Sequence, residues 1–188
     1  MPPINYVPFG RFGEAVGAHF VRSRSAPVTV TAADLSLERV RALLADSGFA
    51  FDTPWLPVWR EPGHVNVGPW LTAGSVCLPC LRARLDQHDG SKGRSAVARD
   101  AQDHTVHHDL WPFLPMHVRT TAGIVENSLS ATDPDSRRSV VRYRLDSGEI
   151  RRHPVVPVGG CLSCRPGATA SQRVKSAVRE LRSGRSGR

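Results

Sequence analysis

The sequence predicts a mixed α/β (α+β) fold built around a metal site, and three observations carry that expectation. A strand-like run, Val28-Thr29-Val30-Thr31, is followed at once by apolar residues at helical spacing. Two further runs, Pro54-Trp55-Leu56-Pro57-Val58-Trp59 and His64-Val65-Asn66-Val67, are rich in aromatic and β-branched residues and supply more strand. The four cysteines of the 188-residue chain fall into two C-x-x-C pairs, Cys77/Cys80 and Cys161/Cys164, with none left over.

Residues 1–27 hold Pro2, Pro3, Pro8, Gly10, Gly13 and Gly17, show no sustained period and are expected to run irregularly. After the Val28 strand, Asp34 or Ser36 can cap a helix whose apolar positions Leu37, Val40, Leu43 and Leu44 continue until Gly48. The prolines of the Trp55 run suggest an edge strand or a strand start. Gly68-Pro69 is a turn signal after the His64 strand, and Leu78, Leu81 and Leu85 place a helix start inside the first cysteine pair. Residues 86–110 are polar and broken by glycine, which predicts a loop with at most a short helix. Ala122–Val125 and Ser139–Tyr143 look β-like and are separated by a turn-rich stretch, so they are expected to pair as a hairpin. Asp146-Ser147-Gly148-Glu149 is a turn, and His153–Val158 leads as an extended run into the second cysteine pair. Ala170–Arg182 reads as a basic amphipathic helix before a low-complexity tail. The expected organisation is an irregular segment at 1–27, a zinc-binding domain at 28–165 with its knuckles at 77–80 and 161–164, and a basic helix and disordered tail at 166–188.

The cysteines carry the chemistry. A two-residue spacer lets two thiolates from one turn reach the same ion, and two such pairs close a tetrahedral Zn–S₄ site with no open position. Cys77, Cys80, Cys161 and Cys164 are therefore the expected ligands of one structural zinc. Eighty residues separate Cys80 from Cys161, far more than in a compact zinc ribbon, so the metal would pin the two ends of a subdomain. Two redox dithiols are the alternative, and spacing does not distinguish zinc from another thiophilic metal. His104, His107 and His108, with His117 nearby, are close enough to share a metal but form a weaker set that reads better as a polar solvated loop. His153 stands eight residues before Cys161, either supporting the knuckle or exposed.

Composition narrows the rest. No stretch approaches the roughly 20 apolar residues that span a bilayer, and the MPPINYVPFG start lacks the basic and apolar regions of a signal peptide, so a cytoplasmic location is expected. The net charge of +8 is C-terminal: residues 1–135 carry 12 Lys+Arg against 14 Asp+Glu, and residues 136–188 carry 13 against 3. Such asymmetry suits an anionic partner or a solvated basic face. Phosphate-binding glycine motifs, G-x-S-x-G and H-E-x-x-H are all absent, so catalysis by this chain alone is not expected. A histidine-centred enzyme would need an open metal site or a positioned base, and the sequence shows neither.

Val65-Asn66-Val67-Gly68-Pro69-Trp70-Leu71, Gly74 and Cys77-Leu78-Pro79-Cys80-Leu81-Arg82-Ala83-Arg84, followed later by His153-Pro154-Val155-Val156-Pro157 and Cys161-Leu162-Ser163-Cys164, resemble the ThiF-like partner proteins of thiazole/oxazole-modified peptide (RiPP) biosynthesis. Trp55-Leu56-Pro57-Val58 fits the strand that precedes this passage in the family, and the likeness runs from about Val28 to Cys164. The resemblance implies a truncated ThiF-like, adenylating-enzyme-like fragment, without the peptide-clasping winged helix that family members carry. It also implies a non-catalytic partner subunit of a cyclodehydratase, working with an ATP-dependent YcaO-type enzyme on a ribosomally made precursor peptide. The alternative from a different class is a zinc-dependent nucleic-acid-binding protein presenting Arg137, Arg138, Arg142, Arg144, Arg151 and Arg152 with the Arg173–Arg182 helix.

Overall fold

The computed structural model describes residues 3–22, 26–49, 53–72, 76–88, 97, 100, 101, 103, 104, 113–158 and 161. Their strands are β1 (Asn5–Phe9), β2 (Thr29–Ala33), β3 (Trp55–Glu61), β4 (His64–Val67), β5 (Ser139–Arg144) and β6 (Ile150–Pro154), and they form one sheet in sequence order. Pairing is parallel from β1 to β3 and antiparallel from β3 to β6. The principal helices are α1 (Gly10–Gly17), α2 (Leu37–Asp46), α3 (Leu78–His88), α4 (Pro115–Ser130) and the single turn α5 (Pro134–Arg137).

Two cores lie on opposite faces of this sheet. On one face Phe12 and Val16 of α1 and Val118, Ala122 and Val125 of α4 pack with Val30, Val58, Val65 and Tyr143. On the other, Leu37, Val40 and Leu44 of α2 and Cys80 and Leu81 of α3 pack with Trp55, Trp59, Val140 and Val155. Strand β2, Thr-Val-Thr-Ala-Ala, is buried at every position because helices cover both sides. Its threonines accept hydrogen bonds, Thr31 Oγ1 from Trp55 Nε1 at 2.9 Å and Thr29 Oγ1 from Asn5 Nδ2 at 3.1 Å.

Four expectations are corrected. The first segment is not irregular, since Asn5–Gly17 forms β1 and α1. Its glycines serve the packing: a Cβ on Gly13 would lie 2.1 Å from the Ala32 carbonyl oxygen, so only glycine lets α1 settle onto β2. Strand β3 is not at an edge but lies between β2 and β4, while Pro54 stands immediately before its first residue, in line with the strand-start alternative. Pro57 is tolerated there because its backbone faces the β4 side just beyond Val67, the last residue of β4, and its carbonyl accepts the Gly68 N–H at 2.9 Å. Ala122–Val125 is helical, within α4: Val118, Ala122 and Val125 recur at helical spacing and Pro115 starts the helix. The hairpin partner of β5 is therefore β6, joined through the turn at Gly148 (φ 71°). The strand–helix unit at β2–α2, strand β4, the helix start at the first cysteine pair and the 146–149 turn agree with expectation. The Gly68–Pro69 turn is a cis peptide.

In the polar segment, Asp100, Ala101, Asp103 and His104 are helical, and the Ser36 N–H donates to Asp103 Oδ1 at 2.8 Å. No described helix is long and apolar enough to cross a membrane. The expected Ala170–Arg182 helix and tail lie outside the described residues.

Candidate metal centre

Two arms of chain bring the cysteines together. Helix α3 starts immediately after Cys77, whose carbonyl accepts the Leu81 N–H at 3.0 Å, so Cys80 sits in the first helical turn. Cys80 and Leu81 are buried against the Trp59 core, which fixes the helix on the sheet. The second arm runs on from β6. The Val155 N–H donates to the Arg138 carbonyl at 2.8 Å, and Arg84 of α3 donates through Nε to the Val156 carbonyl at 2.9 Å. The Val158 N–H then points at Cys80 Sγ at 3.2 Å, and the Cys161 N–H donates to the Val158 carbonyl at 3.2 Å.

The result is three sulfurs, from Cys77, Cys80 and Cys161, all within 4.8 Å of one another. Cys77 Sγ and Cys161 Sγ are 3.4 Å apart, and none of the three is in a disulfide among the described residues. A disulfide would need about 2.05 Å. Tetrahedral thiolates about 2.3 Å from zinc stand roughly 3.8 Å from each other, close to the observed spacing. The donor set fits a soft, tetrahedral ion, and an N–H aimed at Cys80 Sγ is the kind of contact that helps hold a buried thiolate. Cys164, the expected fourth ligand, lies outside the described residues.

Among the described residues no histidine joins this cluster. His104 is exposed, with Nδ1 3.2 Å from Asp100 Oδ1, while His107 and His108 lie outside the described residues. His117 is buried in α4, where Nδ1 accepts the Leu114 N–H at 3.1 Å and the ring meets Tyr143 edge-on. That is a helix-capping role. His153 is exposed on β6, in register with Val140.

A second buried arrangement escaped the sequence reading. At the C-terminal ends of the parallel strands, Asp34 Oδ1 lies 2.8 Å from Arg60 Nη2, with the two side chains 1% and 4% exposed. Asp34 Oδ2 accepts the Phe12 N–H of α1 at 2.8 Å. Ser36, not Asp34, caps α2, accepting the Arg39 N–H at 3.2 Å. Arg60 sits 5.7 Å from the ring centres of both Phe12 and Phe113. Burial draws its pKa down, and the charge and hydrogen bond of Asp34 oppose that shift. Gly10 (φ 76°) leaves room for the carboxylate, since a Cβ there would be 2.8 Å from Asp34 Oδ2. An internal carboxylate thus occupies the N-terminus of α1, a place where open α/β folds often hold a phosphate.

No protein-family model matches the chain, and no curated protein matches it. Solved structures do share its fold. It is similar to a heterocyclase in complex with substrate and cofactor, with TM-score 0.61 and 14% identity over 86% of this chain and 25% of that one. The heterocyclase TruD gives TM-score 0.58 and 17% identity over 86% of this chain and 27% of that one. A chain of the E. coli microcin synthetase McbBCD complex gives TM-score 0.57 and 10% identity over 84% of this chain and 67% of that one. This chain spans about a quarter of the length of the two heterocyclases. At these identities the likeness is one of fold, a mixed α/β fold found in heterocyclase and microcin synthetase components.

Proposed function

We propose that this protein is a non-catalytic, zinc-bearing partner subunit of an azoline-forming RiPP cyclodehydratase. In this reading it docks or activates a YcaO-type enzyme, which uses ATP, and helps to bind the precursor peptide. The observation that carries it is the three-thiol cluster seated at the meeting of α3 and the arm after β6, on a fold shared with heterocyclases. Cys77, Cys80, Cys161 and Cys164 would hold one structural zinc, with the ThiF-like zinc domain spanning residues 28–165. Two features support a role outside the chemistry: the thiols face one another at a distance that suits shared ligation of one ion, and Asp34 bonds the α1 N-terminus, a place where open α/β folds often hold a phosphate. A partner role is also in keeping with the McbBCD complex, a synthetase of several chains that has been seen with pro-MccB17 bound.

The test is co-expression with a YcaO-type protein and its precursor peptide, reading co-purification and loss of one water per ring by mass spectrometry. Azoline formation that needs both proteins supports the proposal. A YcaO-type enzyme that neither binds this chain nor gains activity from it overturns the proposal. The second reading, zinc-dependent nucleic-acid binding, is favoured by the arginines of the β5–β6 hairpin and would show as affinity for arbitrary DNA that falls steeply with salt.

A further inference from the structure

The face that α2 and α3 cover is not covered throughout. Their core takes Val140 from the last three strands and Val155 just past β6, but nothing further along those strands. Beyond that limit the register lines up Asn66, Arg142 and Arg151 across β4, β5 and β6, with His64 and Arg144 in the next row. Asn66 is fully buried; its Oδ1 accepts from Arg142 Nε at 3.2 Å, and its Nδ2 has no acceptor among the described residues. Arg142 is half-buried and pairs with no carboxylate among the described residues. The acids nearby are engaged: Glu61 with His64, Asp146 with Arg144, and Glu149 with Arg151. The last two pairs are exposed, so another carboxylate can exchange into them at little cost.

Strand β6 ends the sheet and is exposed at all five residues. The Arg144 N–H donates to the Glu149 carbonyl and the Val155 N–H to the Arg138 carbonyl. Antiparallel alternation therefore turns the backbone N–H and C=O of Ile150 and Arg152 away from β5. A row of open backbone groups is a template for an added strand. Residues 137–153 hold six arginines against two acids, so what this edge lacks is carboxylate.

We propose that an extended acidic segment of a partner protein adds to β6 as a seventh strand, with a carboxylate beside Arg151 and within the positive field of Arg142 and Arg144. That the partner belongs to a peptide-modifying complex rests on the preceding reading; the surface itself does not.

The experiment is an anisotropy titration of the full chain with a fluorescein-labelled short peptide alternating Glu and Thr. Saturable binding is expected, weakened about tenfold or more by Arg142→Glu with Arg151→Glu and unchanged by Arg119→Glu on α4 across the sheet. Because Arg142 is half-buried, the exposed Arg151→Glu alone is a second variant, and the same peptide N-methylated at alternate amides is a second probe. Both are expected to bind less well. Absent binding, binding indifferent to Arg151 or to N-methylation, or equal affinity for single-stranded oligothymidine would each overturn the proposal. Failure of the peptide with successful YcaO-type co-purification would remove this surface alone, and the reverse result would remove the complex and keep the surface.

Discussion

Cys77 and Cys161 face each other with 3.4 Å between their sulfurs, although 84 positions separate them in the chain. Closing a loop of that length costs on the order of 4 kcal/mol of chain entropy, which a shared metal ion can offset. Zinc in small structural sites supplies roughly 10–16 kcal/mol, as much as a domain's entire stability of about 5–15 kcal/mol. The chain purified without added metal is expected to carry one zinc by mass spectrometry under native conditions. Cys77→Ser with Cys161→Ser is expected to lose both zinc and cooperative unfolding. A folded, metal-free wild type would instead bring redox chemistry of the cysteine pairs forward.

The Asp34–Arg60 pair tests the other face of the sheet. Both side chains are almost fully buried, so replacing only one takes the opposite charge 2.8 Å away from a buried ionised group. Asp34→Asn is expected to cost about 3–5 kcal/mol, read as a lower urea midpoint. Adding Arg60→Met should recover much of that loss. A single variant as stable as the wild type would show that Arg60 is compensated by the Phe12 and Phe113 rings instead.

How far these features could be seen in advance depends on which force set them. The β2–α2 unit was legible because Val28–Thr31, Ser36 and the Leu37–Leu44 spacing all agree locally, and the cysteine spacing pointed to a cluster now seen for three of the four thiols. Residues 118–125 misled because Val118, Thr121, Ile124 and Val125 favour strand, while burial of their helical stripe against Val65 and Tyr143 decides for helix. Gly10, Gly13 and Gly17 read as irregular chain because the need for glycine arises from Asp34, Ala32 and Tyr6, which α1 meets only in the folded state. Asp34 looked like a cap for α2, and only the tertiary placement of α1 and Arg60 shows what it bonds.

The β5–β6 turn gives a pH prediction. A hydrogen bond from Arg144 holds the Asp146 carboxyl at about 2, below its ordinary 3.8. Asp133 is also lowered, chiefly by the Ser136 N–H. A depressed folded pKa contributes stability that is complete above the unfolded value and is lost as pH falls through the folded one. Both contributions should therefore be constant near neutrality; that of Asp146 fades on going from 3.8 towards about 2, and that of Asp133 fades as pH falls below its ordinary 3.8. A carboxyl titration by NMR is expected to place Asp146 near about 2 and to return it towards 3.8 in Arg144→Ala. No movement in the variant would mean that Ser147 alone sets the value.

Arg84 joins the two arms of the metal centre without touching a sulfur. Its Nε donates to the Val156 carbonyl at 2.9 Å and its Nη2 reaches the Pro157 carbonyl at 3.4 Å, holding to α3 the segment that delivers Cys161. The bonds are largely exposed, so their net worth is about 1 kcal/mol, roughly a fivefold change in an equilibrium. Arg84→Ala should leave the fold and the metal content intact while raising zinc transfer to a chromophoric chelator by about that factor. Arg82→Ala, one position from the core-facing Leu81 and paired among the described residues with exposed Glu38 and Asp86, should not. Equal release from the two variants would mean that the second arm is held by Val158 and Cys80 alone, and that the charge on α3 plays no part in retaining the ion.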